Sequence, residues 1–307
     1  MNFALTDEQA RILESVEGTL RRAGEASTGL EDPKIYLDAL ADGGFLDIAR
    51  EAGPLEATLI IEAAARLGIA APMGPRLLVG PLCTDQALPP MVGLMTGRDG
   101  LVRFGGDCTV FLTLDHGEAY LVPAESARVE RLHAPVGYPM ANVSLPDRGE
   151  RLGAGAGDRL RRGWHIALAA EAAGCMTAAV TLTAAYVSDR YQFGRPIGSF
   201  QAVQHRLARA HTLASSALWL ARRAAWQADS DYLAACAAAQ AAVAADEVFT
   251  DTHQVTGAMG ITSEHGLVAF TQRLVALQRE FGGTTSHAQY VTLARMRSTP
   301  WSEALHA

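Results

Sequence analysis

Cysteine is scarce in this chain of 307 residues; Cys83, Cys108, Cys175 and Cys236 are all it has. They stand far apart, with no metal-ligand spacing, so neither a zinc framework nor a disulfide-stapled module is expected; four reduced, buried small residues of a cytosolic protein are. Lysine is scarcer still. Arginine supplies nearly all of the 26 basic residues, which with the abundance of alanine is a bias of composition rather than of mechanism. Basic charge is outweighed by 33 acidic residues, and the net charge of −7 argues against a nucleic-acid surface. No window of the length of a membrane span is both uncharged and correctly flanked. Ile166 to Val187 comes closest, but it is alanine-rich, carries Glu171 and several threonines, and precedes a second such run, so a buried bundle helix is expected and no membrane partner. Met1 to Arg21 is charged and amphipathic, unlike a signal peptide.

What is present is apolar: 49% hydrophobic against 19% charged residues, enough for a large core in two domains or three small ones. Phe3, Leu5, Ala10, Ile12, Leu13, Val16 and Leu20 recur at helical spacing, and Thr6 followed by Gln9 predicts a capping box. Gly24 to Pro33 reads as a loop, Ile35 to Ala41 as a second helix, and Pro54 to Leu67 as a third, with Leu59, Ile60, Ala63 and Leu67 on one face and Gly68 at its end. From Leu82 to Arg151 the pattern turns to short runs: Leu101–Phe104, Val110–Leu114, Ala119–Val122 and Asn142–Leu145. Asp115-His116-Gly117 between two of them predicts a hairpin turn. Asp115 and His116 could also be read as an acid/base pair, though a solvated turn explains them.

Arg151 to Arg162 reads as a glycine- and arginine-rich linker. Four helical stretches follow: Gly163–Ser188, Phe200–Asp229, Asp231–Val255 and one from Leu267 to Ala288 and beyond, predicting an antiparallel bundle. Between the first two lies Ser188–Ala208, interrupted by Gly194, Pro196 and Gly198. Arg190, Gln192, Phe193, Arg195, Gln201, Gln204 and His205 put donors and a ring around this link, which suits a planar anionic ligand. An ordinary polar connection between helices explains the same residues. Gly257 and Gly260 after the third helix permit close backbone approach to a ligand, or simply cap the helix.

The run R-Y-Q-F-G-R-P-I-G-S-F-Q-A-V-Q-H-R-L-A, from Arg190 to Ala208, resembles the acyl-CoA dehydrogenase family motif: Arg, a spacer, Gln-Phe-Gly, Ile, Phe-Gln, His, Leu-Ala. The opening F-A-L-T-D-E-Q, the G-G-F-L-D-I-A segment and the E-A-A-A-R-L-G helix fall in the family's order. The resemblance implies a mainly α fold with an N-terminal helical domain (1–81), a shortened β-domain (82–151) and a C-terminal four-helix bundle (152–307). It implies FAD as cofactor. Arg190 would take the pyrophosphate, and Gln192, Phe193 and Gln201 would fall on the ADP side. Gln254, Gly257 and Gly260 would match a Gln-x-x-Gly-Gly-x-Gly turn that holds a neighbouring subunit's FAD, with Ala258 in place of the middle glycine and Thr262, Glu264 and His265 continuing the pattern.

The departures from the family matter as much. The β-domain lacks the Thr-Glu-Pro and Gly-Ser-Asp segments that wrap the flavin. The family's base, a Glu between an aromatic residue and Gly-Thr, is replaced by Gly282, with Glu280 two residues earlier and expected to point elsewhere. The alternative base position on the first bundle helix falls at Trp164. Glu171, seven residues on and therefore on the same face, is a weak candidate for a relocated base. With no catalytic residue secure, the resemblance implies the short, non-catalytic subunit of heteromeric α2β2 acyl-CoA dehydrogenases of actinobacterial steroid breakdown. Such a chain would complete the FAD site of a homologous partner acting on an acyl-CoA, with an electron-transfer flavoprotein as acceptor and a cytoplasmic location. A self-sufficient homo-oligomeric enzyme using Glu171, and a structural or regulatory paralogue without flavin, remain the alternatives.

Overall fold

Gln9 N–H donates to Thr6 Oγ1 (3.2 Å) and Thr6 N–H donates to Gln9 Oε1 (3.0 Å), the reciprocal capping box expected from the sequence. It starts helix α1, Asp7–Ala26. The structure, a computed structural model, describes residues 4–26, 32–134, 136–262 and 264–298. Phe3 and Pro135 lie outside them. So do residues 27–31 of the expected Gly24–Pro33 loop, whose first residues instead continue α1. Helices α2 (Pro33–Asp42), α3 (Ile48–Glu51) and α4 (Pro54–Arg66) follow, then a π-helical turn at Pro75–Val79 and α5 (Gly80–Cys83). The expected single apolar face of α4 proves to be a helix buried all round from Ala57 to Ala65. A helix so enclosed must bury its charge paired, and Glu62 accepts from Arg222 Nη2 at 2.8 Å. Burial pushes the Glu62 carboxyl up, a shift that Arg222 only partly offsets.

The middle region forms two small sheets. The strands β1 (Val92–Thr96), β3 (Val110–Asp115), β4 (Glu118–Pro123) and β7 (Glu150–Arg151) make one, in the order β1-β3-β4-β7 with β1 and β3 parallel. The strands β2 (Asp99–Arg103), β6 (Met140–Ser144) and β5 (Arg128–Leu132) make the other, antiparallel throughout. His116 and Gly117 both have positive φ (48° and 83°), the two-residue turn expected between β3 and β4. Asp115 is held by Arg148 Nε at 2.6 Å, and His116 is solvated. β1 escaped the sequence reading because it is buried on both faces and does not alternate. β5 escaped because it is exposed almost throughout and shows no apolar period.

The expected linker before the bundle is the start of its longest helix. α6 runs Ala156–Asp189, opening after Gly155 at φ 72°. Glycine at position 157 serves a close approach: a Cβ there would sit 1.9 Å from the Gly117 carbonyl oxygen, so the first turn of α6 docks on the β3–β4 hairpin. The arginines are anchored too, Arg159 Nε to Leu82 O (2.8 Å) and Arg162 Nη1 to Asp231 Oδ1 (2.9 Å).

α7 (Gln201–Trp226) and α8 (Asp231–Thr256) pack on α6, and buried Ala210, Ala214, Ala217, Ala221 and Ala224 give α7 a small-residue seam that lets backbones come close. By length and composition α6 and the Asp231–Ile261 stretch are apolar enough to cross a membrane. The critical window of α6 is 83% buried by the helices around it, as a bundle core helix requires.

The expected fourth helix is two: α9 (Leu267–Arg279) and α10 (Gly283–Ser298), broken where Phe281 (φ 55°), Gly282 (φ 87°) and Gly283 (φ 72°) take left-handed conformations.

Candidate functional site

A cavity of about 420 Å³ opens between the β-sheets, α6 and the α9–α10 break, within the size range of small-molecule sites. Trp164, Glu280, Phe281 and Gly282 form one side of it, Arg103, Leu94 and Met140 another. Gly282 and Trp164, the two positions where a base was expected from the resemblance, therefore both line this space. Glu280 was expected to point elsewhere but lines the cavity, because left-handed Phe281 turns the chain between 280 and 282 and removes helical spacing.

Glu280 is not free. Trp164 Nε1 donates to its Oε1 at 2.7 Å, and Arg103 Nε lies 2.6 Å from its Oε2. The same guanidinium reaches Glu171, with Nη1 donating to Oε1 and Oε2 at 2.9 and 3.0 Å. Tyr138 OH donates to Glu171 Oε1 at 2.7 Å, and Arg103 also lies 4.7 Å from the Tyr138 ring centre. Burial alone would depress the Arg103 guanidinium; Glu171 and Glu280 outweigh it and hold it well above its ordinary value. Burial drives the Tyr138 phenol well up, reinforced by the charge of Glu171. The result is a largely buried charge chain, Glu171–Arg103–Glu280, with an aromatic hydrogen-bond donor at each end. Arg103 and Tyr138 carry no signal in the sequence: Arg103 stands in a short apolar strand run, and no local spacing links it to α6.

The residues expected to contact flavin stand at the far end of α6. Tyr191–Gln192 (β8) pairs with Arg195–Pro196 (β9), and the two residues between them, Phe193 and Gly194, have φ of 56° and 79°. The link is thus a tight hairpin rather than a plain helix–helix connection. It is closed by Ile197 N–H donating to Arg190 O at 2.8 Å. Arg190, Gln192 and Gln201 are exposed, and Phe193 is 90% exposed. Arg195 stacks over Phe200 at 4.0 Å, which stiffens the base of the hairpin.

The second motif ends α8. Gln254 is exposed; Gly257 has φ 60°, and a Cβ there would meet nothing within 4 Å, leaving its backbone open to a ligand. Gly260 is buried, and a Cβ would lie 2.1 Å from Thr256 Oγ1. Tyr186 packs on His265 with ring centres 5.0 Å apart, which brings the two motifs to the same end of the bundle.

Residues 165–295 match the family described as "Acyl-CoA dehydrogenase, C-terminal domain". These residues belong to that family. Over 300 residues the chain is 30% identical to acyl-CoA dehydrogenase FadE34 of Mycobacterium tuberculosis, which covers 94% of this chain and 37% of the relative. The chain therefore spans little more than a third of the length of that protein. Among solved structures, the Tcur3481-Tcur3483 steroid ACAD superposes with a TM-score of 0.77 at 21% identity, covering 95% of this chain and 98% of that one. The ChsE4-ChsE5 complex of Mycobacterium tuberculosis superposes with a TM-score of 0.75 at 22% identity, covering 98% and 100%. Over the described residues the fold is that of these structures: N-terminal helices, a small β region and C-terminal helices.

Proposed function

We propose that this chain is a non-catalytic subunit of a heteromeric, FAD-dependent acyl-CoA dehydrogenase, completing the flavin site of a homologous partner that carries the base. The observation that carries the reading is the cavity wall. Gly282 and Trp164 occupy the base positions, and the one acidic wall residue among the described residues, Glu280, is neutralised by Arg103. Removing a proton beside a thioester needs a carboxylate free to accept it. Glu171, the other carboxylate of the network, is engaged by Arg103 and Tyr138.

The exposed groups of the bundle end suit FAD. Arg190 binds pyrophosphate oxygens, Gln192, Phe193 and Gln201 meet the ADP side, and the turn of Gln254, Gly257 and Gly260 admits the dinucleotide against open backbone. When bound, the flavin supplies the two-electron acceptor for α,β-dehydrogenation of the acyl-CoA. The assembly in this reading is an α2β2 heterotetramer. Its substrate is an acyl-CoA with a bulky, steroid-derived chain, supported by the likeness to the steroid ACAD fold, and its electron acceptor is an electron-transfer flavoprotein. Four free cysteines, three of them buried, support a cytoplasmic location.

The test is to purify the chain alone and with the product of an adjacent gene, and to record flavin absorbance and dehydrogenase activity. Co-expression should give yellow, active protein, and Arg190→Ala should lower its FAD content. Yellow, active protein from this chain alone, inactivated by Glu171→Gln or Glu280→Gln, would overturn the subunit reading. Unchanged flavin in Arg190→Ala would overturn the role of the hairpin.

A further inference from the structure

Apart from the main cavity, with which it shares no lining residue, α6, α8 and α10 enclose a second cleft of about 100 Å³, several times what one water needs. Three guanidinium groups, Arg161, Arg162 and Arg297, face it against a single carboxylate, Asp231. That carboxylate is already engaged by Arg162 Nη1 at 2.9 Å. Arg161 is paired through Nη1 to Asp158 at 2.7 Å, but its Nε is buried and has no hydrogen-bond partner among the described residues. The remaining polar wall is His165, only 2% exposed, whose Nε2 is likewise buried and without a partner among the described residues. The Tyr290 ring packs edge-on to His165 at 5.3 Å and completes the wall.

Orphaned buried donors are rare in folded proteins. Asp158 and Asp231 offset Arg161 and Arg162, which leaves the single charge of Arg297; two orphaned polar atoms in one cleft beside it form a half-built coordination sphere. Water could satisfy one donor but would not balance the charge. A tetrahedral oxyanion does both: its oxygens accept from several directions, and guanidinium forks match its edges. The arginines on α6 are fixed by their second partners, so they present the cleft pre-organised, while Arg297 is exposed on α10 and free to close over an occupant. We propose that the cleft bounded by Arg161, Arg162, His165, Tyr290 and Arg297 is a binding site for a phosphate-type oxyanion, either free phosphate or the terminal phosphate of a larger ligand. It is separate from the flavin motif, which lies at the opposite end of α6.

Calorimetric titration of the full chain with inorganic phosphate, at ionic strength held constant with sodium chloride, tests this. One saturable site is expected. Arg297→Ala, at an exposed helix position where folding tolerates the change, should weaken phosphate binding about tenfold through loss of one charged donor. His165→Phe should weaken it as well, and Arg190→Ala should leave it unchanged. Adenosine 3′-monophosphate is the second probe: tighter binding than phosphate assigns the cleft to the phosphate end of a larger ligand, and weaker binding assigns it to the free anion. An unsaturable response, a response equal to that with chloride alone, or a phosphate affinity unaltered by Arg297→Ala and His165→Phe would overturn the proposal.

Discussion

Replacing Arg103 by methionine removes the cation that pairs two largely buried carboxylates. The side chains of Arg103, Glu171 and Glu280 are 13%, 9% and 16% exposed, so solvent screening does little. Methionine keeps the volume but strands two carboxylates, which retain only Tyr138 OH and Trp164 Nε1 as neutral donors. Breaking a buried ion pair from one side costs about 3–5 kcal/mol. At about 2 °C per kcal/mol for a chain of this size, that is a fall of roughly 6–10 °C in Tm near pH 8.

Adding Glu171→Gln and Glu280→Gln to Arg103→Met should recover most of the loss, since no charge is then stranded. Thermal or urea unfolding of wild type, Arg103→Met and the triple variant at pH 8 reads both effects. A cost of Arg103→Met below about 1 kcal/mol, or no recovery in the triple variant, would show that the network does not neutralise these carboxylates as the distances indicate.

Gly174→Ala would normally stabilise a helix interior by about 0.5–1 kcal/mol. Here the new Cβ would sit 2.4 Å from the Glu62 carbonyl oxygen where α4 crosses α6. An overpacking cost of about 1–3 kcal/mol should win, seen as a lower urea midpoint; a higher midpoint would mean that the crossing is looser than described. Burial pushes the Cys83, Cys108 and Cys175 thiols up to about 12. At pH 8 they should therefore be inert to a disulfide reagent in the native protein and react only on unfolding, while half-buried Cys236 reacts first. Fast modification of all four in the folded state would contradict that burial.

The parts of the chain legible in its sequence are those whose information is local. The capping box at Thr6, the turn at His116-Gly117 and the bundle helices α7 and α8 follow from spacing and propensity within a few residues, and they are found where expected. The strands β1 and β5 were hidden because one has no polar face and the other no apolar one. The start of α6 was hidden because glycines that usually mark a linker here permit contact with the β3–β4 hairpin. At the site, the hairpin and turn residues were visible as motifs. The Glu171–Arg103–Glu280 chain was not, since it joins a strand, a helix and a kink brought together only by the fold. The inward aim of Glu280 rests on one left-handed residue, Phe281, whose conformation no pattern announces.

The length of α6 has a consequence for how many chains a working site needs. Trp164, in the cavity wall, and Arg190, at the hairpin, are the two ends of an uninterrupted stretch of that helix. At 1.5 Å per residue, 26 residues separate them by about 39 Å. A single extended dinucleotide does not bridge that distance. The cavity and the hairpin of one molecule are thus held apart as if by a strut, so in the proposed assembly the two would belong to different flavin sites.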